Sequence, residues 1–200
     1  MRWLTLYLRS RRVPIALAAA AGCTAAMWSL WSVSSNAREV GVPMVILTVL
    51  LLVASVTATL AGPDEALDRT AALPWPPLRA AHLLAALAVV VVLLLATLIT
   101  GARFGPAWLV IRDAVGLLGL TALGAVTIGA SRSWFLPLGW TLASVVFTLS
   151  GTTTSAIITW QVQDPGNKPA AVTAALLGVG GLIAYAAAGP ARRAPAEAAL

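Results

Sequence analysis

Charged residues are scarce in this chain. Asp, Glu, Lys and Arg make up 10% of its 200 residues, against about 25% in ordinary soluble domains. Apolar residues make up 60%, and the mean hydropathy is +0.90. A soluble domain of this length needs far more charge to cover its surface, so the composition points away from one.

Cysteine, histidine and lysine are each represented once, by Cys23, His82 and Lys168. A single cysteine excludes an intrachain disulfide and a multi-cysteine metal site, and a single histidine excludes a paired-histidine site. Lys168 follows Gly166-Asn167, which is not the pattern of a phosphate-binding loop. We therefore expect no catalytic residues, no metal and no cofactor bound by this chain, and we predict that it is not an enzyme.

Long stretches without Asp, Glu, Lys or Arg fill most of the sequence. Each reaches the ~18–20 residues that a helix needs to cross a bilayer. They predict an all-α, polytopic integral membrane protein, a single transmembrane domain over 1–200 in contact with the lipid bilayer, with no room for a soluble catalytic domain or a nucleic-acid-binding module. The six predicted transmembrane helices cover about 14–34, 43–61, 80–100, 108–130, 134–150 and 170–188.

Residues 2–12 predict an interfacial amphipathic helix before the first span. Arg2, Arg9 and Arg12 fall on one helical face, and Trp3 and Tyr7 fall on the other, which suits a helix lying in the bilayer surface. The alternative is a tail that frays in water. The apolar run that follows continues past Cys23 to Val33, beyond the ~7–15 residues of a signal-peptide core, so we interpret it as a retained span.

The distribution of cations predicts the orientation. With both termini cytoplasmic, nine Lys and Arg residues lie inside and four lie outside, and the reverse topology violates the positive-inside rule. The many Arg, Ala and Gly residues indicate a GC-rich bacterial genome, so we expect a multi-pass protein of the bacterial plasma membrane. Arg112 and Asp113 are interpreted as side chains snorkelling to the outer interface rather than as residues of a transport pathway, because adjacent residues of a helix do not face each other.

The outer segment 151–168 is predicted to be a short helix or a re-entrant segment, because the charge-free stretch 133–163 is too long for one span. Its hydroxyl side chains are too polar for comfortable exposure to lipid. We expect them to line an outer gate on a substrate path, the candidate residues being Thr148, Ser150, Thr152, Thr154 and Ser155.

The longest polar connection is the cytoplasmic segment 62–79. Asp64 and Glu65 favour a helix N-terminus, and Glu65 and Arg69 form an i,i+4 pair worth ~0.2–0.5 kcal/mol. Pro74 ends the predicted helix. These features predict a helix of one or two turns that presents Leu67 and acidic side chains to the cytoplasm, or a polar spacer that only keeps two spans apart.

The sequence from Asp64-Glu65-Ala66-Leu67-Asp68-Arg69-Thr70 through the prolines to Arg79-Ala80-Ala81-His82-Leu83-Leu84 resembles a loop of actinobacterial permease-like proteins. These are similar to the membrane subunits of ATP-binding-cassette exporters of the second permease class. The layout resembles them too: a basic N-terminal helix, six spans and a polar segment between spans five and six. The chain is shorter than most such permeases.

This resemblance implies a permease subunit that moves a hydrophobic or amphipathic substrate out of the cell. Its partners would be a cassette ATPase, which binds ATP and Mg, and a second permease copy in a homo- or heterodimer. The ATPase-docking residues it implies are Asp64, Glu65, Leu67, Asp68, Arg69 and Thr70. The alternatives are an accessory or immunity-type membrane subunit without transport activity, and a secondary carrier.

Overall fold

The computed structural model describes residues 2–60, 75–146 and 152–191, and in these ranges the regular structure is helical, as predicted. The described helices are α1 (Arg2–Ser10), α2 (Val13–Ser34), α3 (Val42–Thr57), α4 (Trp75–Thr97), α5 (Ala107–Thr127), α6 (Phe135–Val146), α7 (Thr153–Ile158) and α8 (Lys168–Ala188). Four of them, α2, α4, α5 and α8, are long and apolar enough to cross a membrane, and α3 and α6 are apolar but shorter.

The helix boundaries differ from the predicted ones mainly where proline or a polar turn intervenes. Helix α4 begins at Trp75 rather than near residue 80, because Pro76 and Pro77 lie in its first turn, where a missing N–H costs nothing. Helix α1 ends at Ser10, and Arg12 adopts a left-handed conformation with φ of 56° before α2 begins. The turn at Arg12 thus separates the basic helix from the apolar helix that follows.

Helix α5 is the centre of the fold. It packs against α3, α4, α6 and α8, and 78% of its most apolar 18-residue window is buried, against 22–28% for the three other long helices. Three of its glycines lie against neighbouring segments: Gly116 against the ring of Trp160, Gly119 against α8, and Gly124 against the backbone of Ser133. The absence of side chains at these positions lets several elements approach one central helix closely.

The closest contact of the bundle is the crossing of α5 and α8. A Cβ atom on Gly119 would lie 2.3 Å from the carbonyl oxygen of Leu177, and one on Gly181 would lie 2.3 Å from the carbonyl oxygen of Gly119. A Cβ atom on Gly178 would meet the side chain of Val115 at the same distance. Backbone therefore packs directly on backbone at this crossing, the arrangement that small residues permit between membrane helices.

The connections between helices gather at two ends of the bundle. At one end, Leu60 contacts both Arg11, before α2, and Tyr185, near the end of α8, and Ala191 donates to the carbonyl of Ala125 near the end of α5. We call this the Leu60 end. The opposite end is the Arg103 end. There the backbone N–H of Arg103 donates to the carbonyl of Arg38 at 2.7 Å, and the carbonyl of Arg103 accepts from the N–H of Val40 at 3.0 Å.

The outer surface of the bundle is apolar. Val92 on α4 is 63% exposed, and Leu176 and Ile183 on α8 are 69% and 63% exposed. Such large apolar side chains cover the outward faces of the long helices, whereas soluble proteins rarely expose contiguous apolar patches of this kind. This surface and the four long apolar helices suggest a membrane-embedded protein.

Candidate functional sites at the two ends of the bundle

At the Leu60 end, one backbone carbonyl joins three parts of the chain. The Tyr185 hydroxyl donates to the carbonyl oxygen of Leu60, and Arg11 Nη1 donates to the same oxygen at 3.2 Å. The neighbouring Thr59 Oγ1 lies 2.9 Å from His82 Nε2. We call Arg11, Thr59, Leu60, His82 and Tyr185 the anchor cluster. It connects the α1–α2 turn, the end of α3, the first part of α4 and the end of α8.

Aromatic contacts extend the anchor cluster onto α1. The ring of Tyr7 meets the ring of His82 edge-on, with centroids 6.0 Å apart, and the guanidinium of Arg11 lies 5.0 Å from the centroid of the Tyr7 ring. A cation over an aromatic face is attracted by the negative face of the ring. The basic N-terminal helix is therefore held to the bundle through Tyr7, and Arg9 and Arg12 are exposed.

Arg79 occupies a second position at the Leu60 end. A Cβ atom on Gly189 would lie 2.6 Å from Arg79 Cζ, and Gly189, which follows α8, has a φ of 71°. The guanidinium thus lies beside the C-terminus of α8, where a cation is favoured by the partial negative charge of the helix end. Its Cζ atom is 5.9 Å from the ring centroid of Trp75.

The predicted docking residues Asp64, Glu65, Leu67, Asp68, Arg69 and Thr70 lie outside the described residues. The structure describes the residues on both sides of them, up to Leu60 and from Trp75 onward. Thr59 and Leu60 belong to the anchor cluster, and Trp75 contacts Arg79. Both flanks of the segment are therefore at the Leu60 end.

At the Arg103 end, a buried ion pair lies inside the bundle. Arg112 and Asp113 have side chains 1% and 0% exposed, with Arg112 Nε 3.0 Å from Asp113 Oδ1. Arg112 also donates to three carbonyl oxygens of the chain after α7: to Gln161 at 3.0 Å, Gln163 at 3.0 Å and Asp164 at 3.1 Å. One guanidinium thus binds the segment 161–164 to the central helix.

This geometry corrects the interpretation of Arg112 and Asp113 as snorkelling side chains. The long Arg112 side chain folds back to its neighbour, so adjacency on the helix does not keep the two charges apart. The carbonyls of residues 161–164 take the hydrogen bonds that water would otherwise accept from the guanidinium. One signal in the sequence could have indicated this: two adjacent opposite charges beside an otherwise charge-free span, where ionisable residues usually pair or face the protein interior.

Trp160 and Gln161 complete the buried site. The Trp160 ring fills the space that Gly116 leaves open, because a Cβ atom there would lie 2.4 Å from Trp160 Cη2. Trp160 and Gln161 are both 0% exposed. Among the described residues, four of the site's side-chain atoms are buried without a hydrogen-bond partner: Asp113 Oδ2, Trp160 Nε1, Gln161 Oε1 and Gln161 Nε2.

Of the hydroxyl groups predicted for the outer gate, those of Thr152 and Ser155 form hydrogen bonds at the short helix α7. Thr152 Oγ1 accepts from the backbone N–H of Ser155 at 3.2 Å and caps the helix. The buried Ser155 hydroxyl donates to the carbonyl of Thr152 at 2.8 Å, and Thr154 is exposed. Thr148 and Ser150 lie outside the described residues, so the gate stays a prediction.

Two contacts fix α7 against α6. Trp140 Nε1 and Ser144 Oγ both donate to the carbonyl oxygen of Ile158, each at 3.0 Å. The outer segment is therefore bonded to α6 at its helical part and to α5, through Arg112, at the part that follows. Within the described ranges, no three His, Cys, Asp or Glu side chains are placed to hold a metal ion.

No protein-family model, curated protein or solved structure matches this chain. A functional proposal must therefore rest on its residues and contacts.

Proposed function

We propose that this chain is a multi-pass protein of the bacterial plasma membrane and the membrane subunit of an ATP-driven exporter. It crosses the bilayer six times, with the Leu60 end in the cytoplasm. A separate cassette ATPase binds ATP and Mg and docks on the segment 64–70. A second permease copy completes the translocation path for a hydrophobic or amphipathic substrate.

The observation that carries this proposal is the attachment of both flanks of the docking segment. The carbonyl of Leu60 accepts from Arg11 and Tyr185, and His82 on the other flank bonds to Thr59. A segment that transmits movement from an ATPase needs such fixed attachment points, because a force on a loosely tethered loop would be lost in the loop itself. A simple spacer needs none of them.

Charge supports the orientation. Among the residues whose side chains are described, the Leu60 end carries Arg9, Arg11, Arg12, Arg79 and Arg132. The opposite end carries Arg38, Arg103, Arg112 and Lys168. Cytoplasmic loops carry the excess of Lys and Arg, so this ratio of five to four favours a cytoplasmic Leu60 end.

Packing supports a path between two copies rather than through one. Helix α5 fills the centre of the bundle, and its contacts with α8 are backbone against backbone. A substrate has no room to pass at such a crossing. The interface between two permeases is then the place for the substrate, which agrees with the dimer that the resemblance implies.

The decisive experiment co-expresses the tagged permease with a candidate cassette ATPase and measures how much ATPase is retained on the permease at equal membrane abundance. Glu65→Lys with Asp68→Lys should weaken retention and lower permease-stimulated ATP hydrolysis, because like-charge contacts at an interface can cost several kcal/mol. The matched control is Glu39→Lys with Asp164→Lys, two exposed carboxylates at the Arg103 end, which should retain the ATPase.

Equal retention by the inner reversal variant and the wild type would show that the segment is only a spacer. If the wild type itself retains no ATPase, under conditions that preserve a known permease–ATPase complex, the accessory role takes precedence. The closed packing around α5 suits that role equally well, because a subunit that only stabilises a partner needs no path of its own. A secondary carrier would in addition transport substrate in membranes without the ATPase.

A further inference from the structure

We propose that the buried site formed by Arg112, Asp113, Trp160 and Gln161 is a hydration site, which binds water molecules between α5 and the segment that follows α7. The inference is independent of the exporter proposal, because it rests on the hydrogen-bonding capacity of this site alone. Arg112 brings the groups together: its guanidinium contacts both the Asp113 carboxylate and the backbone of Gln161. Gly116, one helical turn further along α5, contacts the Trp160 ring.

The unpartnered atoms define the chemistry of the ligand. Asp113 Oδ2 and Gln161 Oε1 accept hydrogen bonds, whereas Trp160 Nε1 and Gln161 Nε2 donate them, and all four are buried without a partner in the described ranges. Buried polar groups are otherwise nearly always hydrogen-bonded. Both the oxygen and the nitrogen of the Gln161 amide are unpartnered. Exchanging these two atoms therefore leaves the numbers of donor and acceptor atoms in the site unchanged. The ligand must therefore both donate and accept.

A metal cation does not fit this inventory. It would bind the two acceptors and face the N–H groups of Trp160 and Gln161. Arg112 and Asp113 already neutralise each other, so a cation would also add an unbalanced buried charge. An anion fits no better, because Arg112 already directs hydrogen bonds to Asp113 and to three carbonyls, and the free carboxylate oxygen would repel it.

Water satisfies both kinds of group. A buried water molecule commonly makes about three hydrogen bonds to polar groups that lack partners. Here it can donate to Asp113 Oδ2 or Gln161 Oε1 and accept from Trp160 Nε1 or Gln161 Nε2. Hydration thereby brings solvent to an aspartate whose side chain is 0% exposed. It also helps to hold the outer segment on the central helix.

Radiolytic hydroxyl-radical footprinting of the full-length protein in lipid nanodiscs tests this site directly, because radicals form from water at the place where it is bound. We expect oxidation of Trp160 although its side chain is 0% exposed, with the exposed Trp108 as the internal dose reference. Gln161→Leu should lower Trp160 oxidation several-fold, because it removes groups that hold the water. The matched control is Thr121→Val, since the buried Thr121 hydroxyl bonds within α5, and it should leave Trp160 oxidation unchanged.

Thermal unfolding in the same nanodiscs is a second test, because Gln161→Leu changes the melting temperature in opposite directions for a hydrated site and for a dry site. If water occupies the site, Gln161→Leu lowers the melting temperature, because Asp113 Oδ2 and Trp160 Nε1 lose solvent partners. If the site is dry, the same change removes unsatisfied groups and raises it. Gln161→Met and Trp160→Phe serve in the same assay if Gln161→Leu does not fold.

Three further results would also overturn the proposal. The first is a wild-type Trp160 that is protected from oxidation while Trp108 is oxidised. The second is Trp160 oxidation that is equal in the wild type and Gln161→Leu, since the label would then arise from opening of the fold. The third is a melting temperature that rises specifically in NaCl or KCl relative to choline chloride at equal ionic strength, which would assign the site to a cation.

Discussion

The crossing of α5 and α8 gives the sharpest quantitative prediction. In Gly119→Ala the new Cβ atom would lie 2.3 Å from the carbonyl oxygen of Leu177 and 2.6 Å from Cα of Gly178. Ordinary van der Waals contact begins at 3.4 Å, so the two helices must separate by roughly 1 Å. These obstructing atoms belong to the backbone, and no rotamer change removes them.

The separation has a calculable cost. A gap of ~0.5–1 Å forfeits a quarter to a half of the dispersion energy of each contact along the interface. Overpacking of a closely packed core costs ~1–3 kcal/mol. Alanine is favoured over glycine in a helix by ~1 kcal/mol, which offsets part of this cost. We expect a net loss of about 1–2 kcal/mol for Gly119→Ala, and a melting temperature lower by about 2–8 °C for a chain of this length.

Gly180→Ala, on the other helix of the crossing, is the matched control. A Cβ atom on Gly180 meets nothing within 4 Å, and alanine is favoured over glycine in a helix by ~1 kcal/mol. This variant should be as stable as the wild type or more stable. The measurement is thermal unfolding of both variants and of the wild type in one detergent. Equal melting temperatures for Gly119→Ala and Gly180→Ala would refute the close crossing.

Two further predictions concern the buried ion pair and the orientation in the membrane. Arg112→Leu leaves the Asp113 carboxylate buried and unpaired, which should cost ~3–5 kcal/mol; Arg112→Leu with Asp113→Leu should recover part of the melting temperature, and no recovery would contradict the pairing. In a background with Cys23→Ala, Ala72→Cys should be shielded from an impermeant thiol reagent in intact cells, whereas Gly166→Cys, at an exposed position with nothing within 4 Å, should be labelled. Labelling at residue 72 in unleaky cells would reverse the orientation.

Charge-free runs and breaker residues carry most of the information about the helices. Pro14 and Pro43 lie in the first turns of α2 and α3, and Gly189 caps the end of α8, each because the residue suits a helix terminus and not a helix interior. The helical fold could be predicted from these local signals. The arrangement of the helices could not, because α2, α4 and α8 are apolar around most of their circumference and no polar stripe marks the face that packs inward.

Helix α5 has sequence features that are unusual for the central helix of a membrane bundle. Its glycines and its adjacent Arg112 and Asp113 lower its apolar character. In the structure the same features explain its central position, because Gly116, Gly119 and Gly124 admit neighbouring segments. Arg112 receives its partners from residues about fifty positions further along the chain. No local pattern in the sequence predicts contacts of that separation.

A continuous series of contacts connects the Leu60 end of the bundle to the Arg103 end. Leu60 is bonded to Tyr185 on α8, α8 meets α5 backbone to backbone at Gly119, and Arg112 on α5 binds the outer segment at Gln161. A displacement of Leu60 would therefore be carried by two stiff helices rather than by side-chain rotations. In the exporter we propose, an ATPase acting on the segment after Leu60 would move α3 and α8 together. The outer segment would follow through α5, because a crossing without side chains leaves little room for the two helices to slide independently.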